Sequence, residues 1–169
     1  MSRVLVVYGT GTGCTLGVAE KIGKALETLG ADADVVAVAQ TSAVAGYAAV
    51  FVGSGVRAGK WHGPVQEWVK TNATALNAVP VAFFTACLTL AASPEKMDEV
   101  RAYTDPLIRE TGVTPVDIGL FAGWNEPKRF GFIERSILKM MKAPEGDFRD
   151  WDAIGAWTVE TARRMGLAA

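Results

Sequence analysis

The chain is poor in the residues that build covalent or metal-bound scaffolds. Its 169 residues include two cysteines, Cys14 and Cys87, and one histidine, His62. Two cysteines so far apart do not make a disulfide framework, and a reducing cytosol suits them. No metal site is expected. Excess charge is missing as well: 17 basic against 18 acidic side chains leave a net charge of −1. That balance argues against a nucleic-acid surface, and it lacks the acidity that would steer a carrier towards basic partners. No apolar run approaches the ~18 residues needed to span a bilayer. No signal peptide is read, because a strand pattern begins almost at once. A cytoplasmic chain follows, without excluding contact with a membrane surface. Repeats and low-complexity linkers are absent too. The length suits one domain over residues 1–169, large enough for a real core. Half the residues are apolar and 21% charged, as in ordinary globular proteins.

What is present is an alternation of short apolar runs with helical periods. Strands are predicted at Arg3–Tyr8, Asp34–Val38, Ala48–Ser54, Val79–Thr85 and Pro115–Phe121. Each is apolar on consecutive positions, as strands covered on both faces should be. Val18, Ile22, Ala25, Leu26 and Leu29 fall on one helical face, and Gly30 stops that helix. A second stripe, Val65, Trp68, Val69, Ala73 and Leu76, opens at Pro64. Ser93-Pro94-Glu95 reads as the start of a helix that Gly112 ends. Gln40–Tyr47 is too short for a full helix. Five strands with helical crossovers predict an α/β doubly wound parallel sheet in the order 2-1-3-4-5. Ligands of such sheets sit beyond the carboxyl ends of the strands. That edge selects the loops Gly9–Thr15, Gly55–Gly63, Ala86–Ala92 and Ala122–Gly131.

The first loop, Tyr8-Gly9-Thr10-Gly11-Thr12-Gly13-Cys14-Thr15-Leu16-Gly17, carries the strongest signal. Glycines let backbone amides approach an anion, and the helix start adds free donors and a favourable dipole. A Walker loop needs Gly-Lys-Ser/Thr, but Cys14-Thr15 follows Gly13. The dinucleotide fingerprint requires glycine where Cys14 or Leu16 stands, and Asp32 and Asp34 fall at the start of the next strand rather than its end. Thr10-x-Thr12-Gly13-x-Thr15 remains, a phosphate cradle of neutral donors with no lysine or arginine inside the loop.

The second loop runs Gly53-Ser54-Gly55-Val56-Arg57-Ala58-Gly59-Lys60-Trp61-His62-Gly63. Gly59 offers flexible backbone to the edge of a planar ring, and Trp61 is a stacking candidate against a helix-entry staple as its alternative. Arg57 and Lys60 either neutralise an anionic ligand or are simply solvated. His62, alone in a loop, reads as structural. In the third loop, Thr85, Ala86, Cys87 and Leu88 are small or apolar enough for backbone donors to reach a ring, and both cysteines read chiefly as apolar packers. The fourth segment, Pro127–Lys142, places Phe130, Ile133, Ile137, Met140 and Met141 at helical spacing. Lys128, Arg129, Arg135, Lys139 and Lys142 fall between them. This is a basic amphipathic helix inserted before the last core helix, which starts near Asp150. It suits an anionic membrane, a hydrophobic substrate, the domain itself or an oligomer partner.

The phosphate loop resembles that of the flavodoxin family. Within it, three segments are similar to the menaquinone-dependent protoporphyrinogen IX dehydrogenase subgroup: Ser54–His62 with its Val56-Arg57-Ala58-Gly59, Phe83–Leu88 followed by Pro94-Glu95-Lys96, and the tail Met140–Trp151. The resemblance covers Arg3 to Ala162. It implies FMN, held by Thr10, Gly11, Thr12, Gly13, Cys14 and Thr15. It places Ser54, Val56, Arg57, Ala58, Gly59, Lys60 and Trp61, with Thr85, Ala86, Cys87 and Leu88, around the ring. It further implies oxidation of protoporphyrinogen with a quinone as acceptor, in heme biosynthesis. Arg57, Lys128 and Arg129 are the cations suited to propionate groups. The competing reading is a flavodoxin-type shuttle that passes electrons to a redox partner protein.

Overall fold

The computed structural model of the chain describes residues 1–41 and 43–167. Five strands form the main sheet: β1 (Arg3–Gly9), β2 (Asp32–Ala37), β3 (Ala49–Arg57), β4 (Val81–Cys87) and β5 (Ile118–Ala122). They run parallel in the order β2-β1-β3-β4-β5, with a two-residue strand, Lys60–Trp61, folded back antiparallel on the end of β3. The predicted order therefore holds. The main helices are α1 (Cys14–Thr28), α2 (Gly63–Thr71), α3 (Asp105–Thr111), α4 (Phe132–Met140) and α5 (Trp151–Arg164).

The apolar runs become strands because both faces of the sheet are covered. Val4 and Val6 of β1 face α1 and α5 through Val18, Ile22, Ile154 and Ala162. Leu5 and Val7, one residue out of phase, face α2 and α3 through Val65, Trp68, Val69 and Leu107. Each fully buried aliphatic side chain contributes about 1.5–3 kcal/mol. The central strands β1, β3 and β4 are almost wholly buried, whereas the edge strands β2 and β5 are only half covered. At the amino end of the sheet, Asp34 accepts from Arg3 Nη2 at 2.7 Å and from Tyr47 Oη at 2.8 Å. Neither it nor Asp32, 3.8 Å from Arg3 Nε, has anything to do with the ligand edge.

The segment from Ser93 to Gly112 departs from expectation. It is not one helix but a chain of short turns, Pro94–Lys96, Met97–Arg101, Ala102–Thr104 and then α3. Pro106 has no N–H to give and its ring crowds the preceding turn, so the helix breaks and restarts around it. Ser93 makes no side-chain cap. Gly112, at φ +70°, ends α3 as predicted. Between Val38 and Tyr47 the described residues hold one 3-10 turn, Val38–Gln40, and a tight turn closed by the Tyr47 amide on the Val44 carbonyl, but no full helix. The final helix is capped by Asp150, whose carboxylate accepts from the Ala153 amide at 2.9 Å.

Candidate functional site

The carboxyl ends of β1, β3, β4 and β5 bring the four selected loops to one edge. The β1–α1 loop is closed by Thr10, whose Oγ1 accepts from the Gly13 amide at 2.9 Å. Gly13 takes φ +89°, a conformation that favours glycine, and turns the chain into α1. No side chain caps α1 and no acid lies in its first turn, so the first-turn amides stay free and the positive end of the helix dipole is uncompensated. Thr15 is wholly buried, and its Oγ1 is without a hydrogen-bond partner. Gly55, at the end of β3, faces it so closely that a Cβ there would stand 3.4 Å from that hydroxyl. A buried hydroxyl without a partner in an amide-lined turn is a donor waiting for an anion.

The loop is not surrounded by neutral groups only, as its own sequence suggests. A Cβ on Gly11 would lie 3.3 Å from Arg57 Nη2, and one on Gly13 would lie 4.0 Å from Arg129 Nη1. Two guanidinium groups thus flank the cradle from the β3 loop and from the segment after β5. Trp124, from that same segment, donates its indole N–H to Thr12 Oγ1 at 3.1 Å. The guanidinium of Arg149 lies 4.2 Å from one ring centre, that of Trp124, and 4.5 Å from the other, that of Trp151. It also donates to the Cys14 carbonyl at 3.2 Å and grips Asp147 with Nη2 at 2.6 Å and Nε at 2.9 Å. The Arg149 side chain is only 9% exposed. Its bond to Asp147 is the main reason that carboxyl titrates below the ordinary carboxylate range. Burial pushes the Cys14 thiol up, partly offset by a hydrogen bond from the Trp124 backbone, and the side chain packs in the apolar cluster around α1.

The second loop is a tight hairpin. Arg57 pairs with Lys60, and the two residues between them, Ala58 (φ +52°) and Gly59 (φ +71°), are both left-handed. That is the turn whose twist matches its strands. Its neighbour is Tyr103, 3.7 Å from where a Gly59 Cβ would be. Trp61 does not stack at this edge. It is 3% exposed, its ring centre sits 5.1 Å from that of Phe83, and its N–H is donated to Thr85 Oγ1 at 2.9 Å. The pairing of Val56 with Trp61 turns that indole into the core, and Thr85 is occupied by it. Ser54 is similarly spent: its hydroxyl accepts from the His62 amide at 2.9 Å and donates to the Gly55 carbonyl at 2.7 Å, which closes the loop. His62, exposed at the entry of α2, accepts through its carbonyl from Val65 and Gln66, a structural role. Ala86 and Cys87 are buried at the end of β4, and Leu88 opens the turn Leu88–Ala92. Ser54, Thr85, Ala86 and Cys87 can therefore serve a ligand through backbone, not side chain.

After β5 the chain makes a small antiparallel pair, Trp124–Asn125 with Gly146–Asp147, and between its arms lies α4. None of the residues of α4 is buried. Glu134 Oε1 meets Arg57 Nη2 at 2.9 Å, which ties α4 to the β3 hairpin. Arg129 pairs with Glu126 at 3.2 Å and lies 5.0 Å from the centre of the Trp124 ring. Lys128 is exposed.

Residues 5–152 match the family model described as a flavodoxin domain. The chain belongs to the flavodoxin-domain family. It is 28% identical over 172 residues to a protein of Escherichia coli strain K12 named protoporphyrinogen IX dehydrogenase [quinone], covering 95% of this chain and 94% of that one. A Leishmania major protein of the same name is 26% identical, covering 90% of this chain and 71% of that one. Both are named as oxidoreductases. Among solved structures, the two-electron reduced flavodoxin of Megasphaera elsdenii superposes with a TM-score of 0.59 at 22% identity, covering 93% and 98% of the two chains. Oxidised Flavodoxin 1 from Bacillus cereus gives 0.60 at 13% identity, covering 96% and 98%.

A flavodoxin domain implies a flavin, and the residues present fit one. The free amides of the α1 start, the unpartnered Thr15 hydroxyl and the flanking Arg57 and Arg129 suit its phosphate. The hairpin and the end of β4 present backbone for its ring. Two aromatics at this edge, Tyr103 and Trp124, escaped the sequence reading. Trp124 lay inside a selected loop, but only its contact with Thr12 singles it out; Tyr103 has no motif around it. The described residues contain no group of three or more His, Cys, Asp or Glu suited to a metal, and none of their helices is long and apolar enough to cross a membrane.

Proposed function

We propose that the chain is an FMN-dependent dehydrogenase that oxidises a large apolar donor of the protoporphyrinogen class and passes the electrons to a quinone. The observation that carries the flavin is the buried, unpartnered Thr15 hydroxyl inside the amide-lined turn at the start of α1. The Thr10–Thr15 amides bind the FMN phosphate, with Thr12 oriented by Trp124. Val56, Arg57, Ala58, Gly59 and Lys60 hold the ring from one side, and the backbone of Ser54, Thr85, Ala86, Cys87 and Leu88 holds it from the other. Bound FMN supplies the two-electron chemistry; the protein binds, orients and tunes. Tyr103, half-buried beside Gly59, offers the flat contact first sought in Trp61. No side chain need exchange protons for this reading, and none is assigned as an acid or base.

Support for the donor and acceptor comes from the curated relatives, and from α4, which puts exposed apolar side chains beside Arg57. Arg57, Lys128 and Arg129 are the cations for carboxylates on the donor. The test is anaerobic: the holoprotein is mixed with protoporphyrinogen, and then with a menaquinone analogue, while flavin absorbance is followed. Bleaching by the first and recovery with the second are expected. A chain that stays colourless and takes up no added FMN ends the reading. FMN uptake without turnover of either substrate leaves the electron-shuttle alternative.

A further inference from the structure

We propose that α4 and its flanks form a docking surface for an anionic phospholipid bilayer. The inference goes beyond the flavin reading and does not depend on it. Phe132, Ile133, Ile137, Met140 and Met141 are each at least 50% exposed. At about 100° per residue, these five side chains sweep roughly half the circumference of the helix. Soluble surfaces scatter such residues singly; here five large ones are contiguous. One border of the apolar arc is cationic: Arg135 and Lys139 follow one another around the helix, and Lys142, at φ +51° just beyond its end, adds a third exposed cation. The other border carries Glu134, already neutralised by Arg57 at 2.9 Å. Lys128 extends the positive charge at the amino end, where Arg129 and Glu126 neutralise each other.

The charge pattern favours lipid over a second copy of the chain. A symmetric pair would set these cations against each other, whereas a layer of phosphodiesters complements them. The cationic border also lines an open groove of 550 Å³ with Asn125 and Glu145. Three cations, Arg135, Lys139 and Lys142, outnumber the one carboxylate, Glu145, in that groove, which suits an anionic phosphodiester headgroup such as that of phosphatidylglycerol. An apolar arc beside a cationic flank is the arrangement of a helix lying in the plane of an interface. Because Glu134 bridges to Arg57, such docking sets the β3 hairpin, and with it the flavin edge, against the membrane where a lipid quinone resides.

The experiment is flotation of the full-length protein with vesicles of phosphatidylcholine alone or with about a third phosphatidylglycerol. Wild-type chain should float with the mixed vesicles at least tenfold better than with the neutral ones, and high salt should reduce the difference. Ile137→Asp with Met140→Asp should abolish flotation, and Lys139→Glu with Lys142→Glu should reduce it at least tenfold. All four positions are exposed, so melting temperature and FMN absorbance should stay unchanged and show that the variants are folded. Flotation of the variants equal to wild type overturns the proposal. So does a failure of wild type to float. A concentration-dependent dimer that Ile137→Asp dissolves, seen by sedimentation in the absence of lipid, would assign the face to self-association instead. Vesicle binding is read without substrate, so its failure leaves the dehydrogenase reading intact, and failure of FMN uptake leaves this one intact.

Discussion

At the scale of single residues, Thr15 is the most informative side chain. Its hydroxyl is buried without a partner, which costs the empty fold the desolvation of a polar group. Thr15→Val keeps the β-branched shape and removes that cost. The variant should melt at the same temperature as wild type or higher, while FMN affinity falls about ten- to a hundredfold, roughly the 1.5–3 kcal/mol of a hydrogen bond to a charged group. Flavin fluorescence quenching and thermal melts measure the two effects separately. A variant that loses stability but not affinity would mean that the hydroxyl serves the core. Ala58 gives a second residue-scale test. It holds φ +52° beside Gly59 at +71°, and a Cβ in that region costs roughly 1–2 kcal/mol. Ala58→Gly should raise stability by up to about 1 kcal/mol, and Gly59→Ala should lower it by about as much. Urea midpoints decide, and equal midpoints would show that the turn relaxes freely.

At the scale of elements, the small pair Trp124–Asn125/Gly146–Asp147 fastens the inserted segment to the phosphate loop. Two residues per arm cannot hold by backbone alone. The work falls to Arg149, which grips Asp147, caps the Cys14 carbonyl and lies between two indoles. Asp147 titrates below its unfolded value because Arg149 donates to it. Its stabilisation is therefore complete above the unfolded pKa, about 4, and is lost as pH falls through the lower folded value. Asp147→Asn should lower stability at pH 7, and its stability-versus-pH curve should be flatter than that of wild type below about pH 4. Denaturant midpoints from pH 7 to pH 3 test this; parallel curves for the two proteins would show that the staple contributes nothing. The Asp147–Arg149 pair is local in sequence, but the contacts that fasten it to the phosphate loop are not. Trp124 meets Thr12 across 112 residues of sequence, whereas periodicity and turn signals see only neighbours. The same limit explains Trp61: a glycine-rich loop advertises an aromatic, but the register of one short hairpin decides which face it takes. What was legible is what a doubly covered sheet forces. The buried runs Val4–Val7 of β1, Ala49–Val52 of β3 and Val81–Phe84 of β4 are apolar at every step, and the threonine-glycine loop sits where β1 must hand over to α1.

At the scale of the whole molecule, stability divides unevenly. The sheet and its helices carry the buried clusters around Phe51, Phe83 and Phe84, while α4 contributes no buried residue at all. Elements with few buried contacts open locally, at free energies well below that of global unfolding. Amide hydrogen exchange should therefore show Arg135–Met141 exchanging orders of magnitude faster than β1 or β4 in the free protein. Two ligands should then protect different amides. FMN should slow exchange in Gly11–Leu16, because the free donors at the start of α1 acquire an acceptor, with spread to Trp124 and Asp147 through the Thr12 and Arg149 contacts. Anionic vesicles should slow Arg135–Met141 and leave Gly11–Leu16 unchanged, because lipid meets the helix and not the cradle. Fast exchange is what an unpartnered helix requires. If α4 is as protected in the free protein as β1, it has a partner within the fold and its exposed face is no docking surface. If FMN protects α4 as strongly as the phosphate loop, the Arg57–Glu134 bridge couples the two, and the cofactor sets the pose in which the helix would meet the membrane.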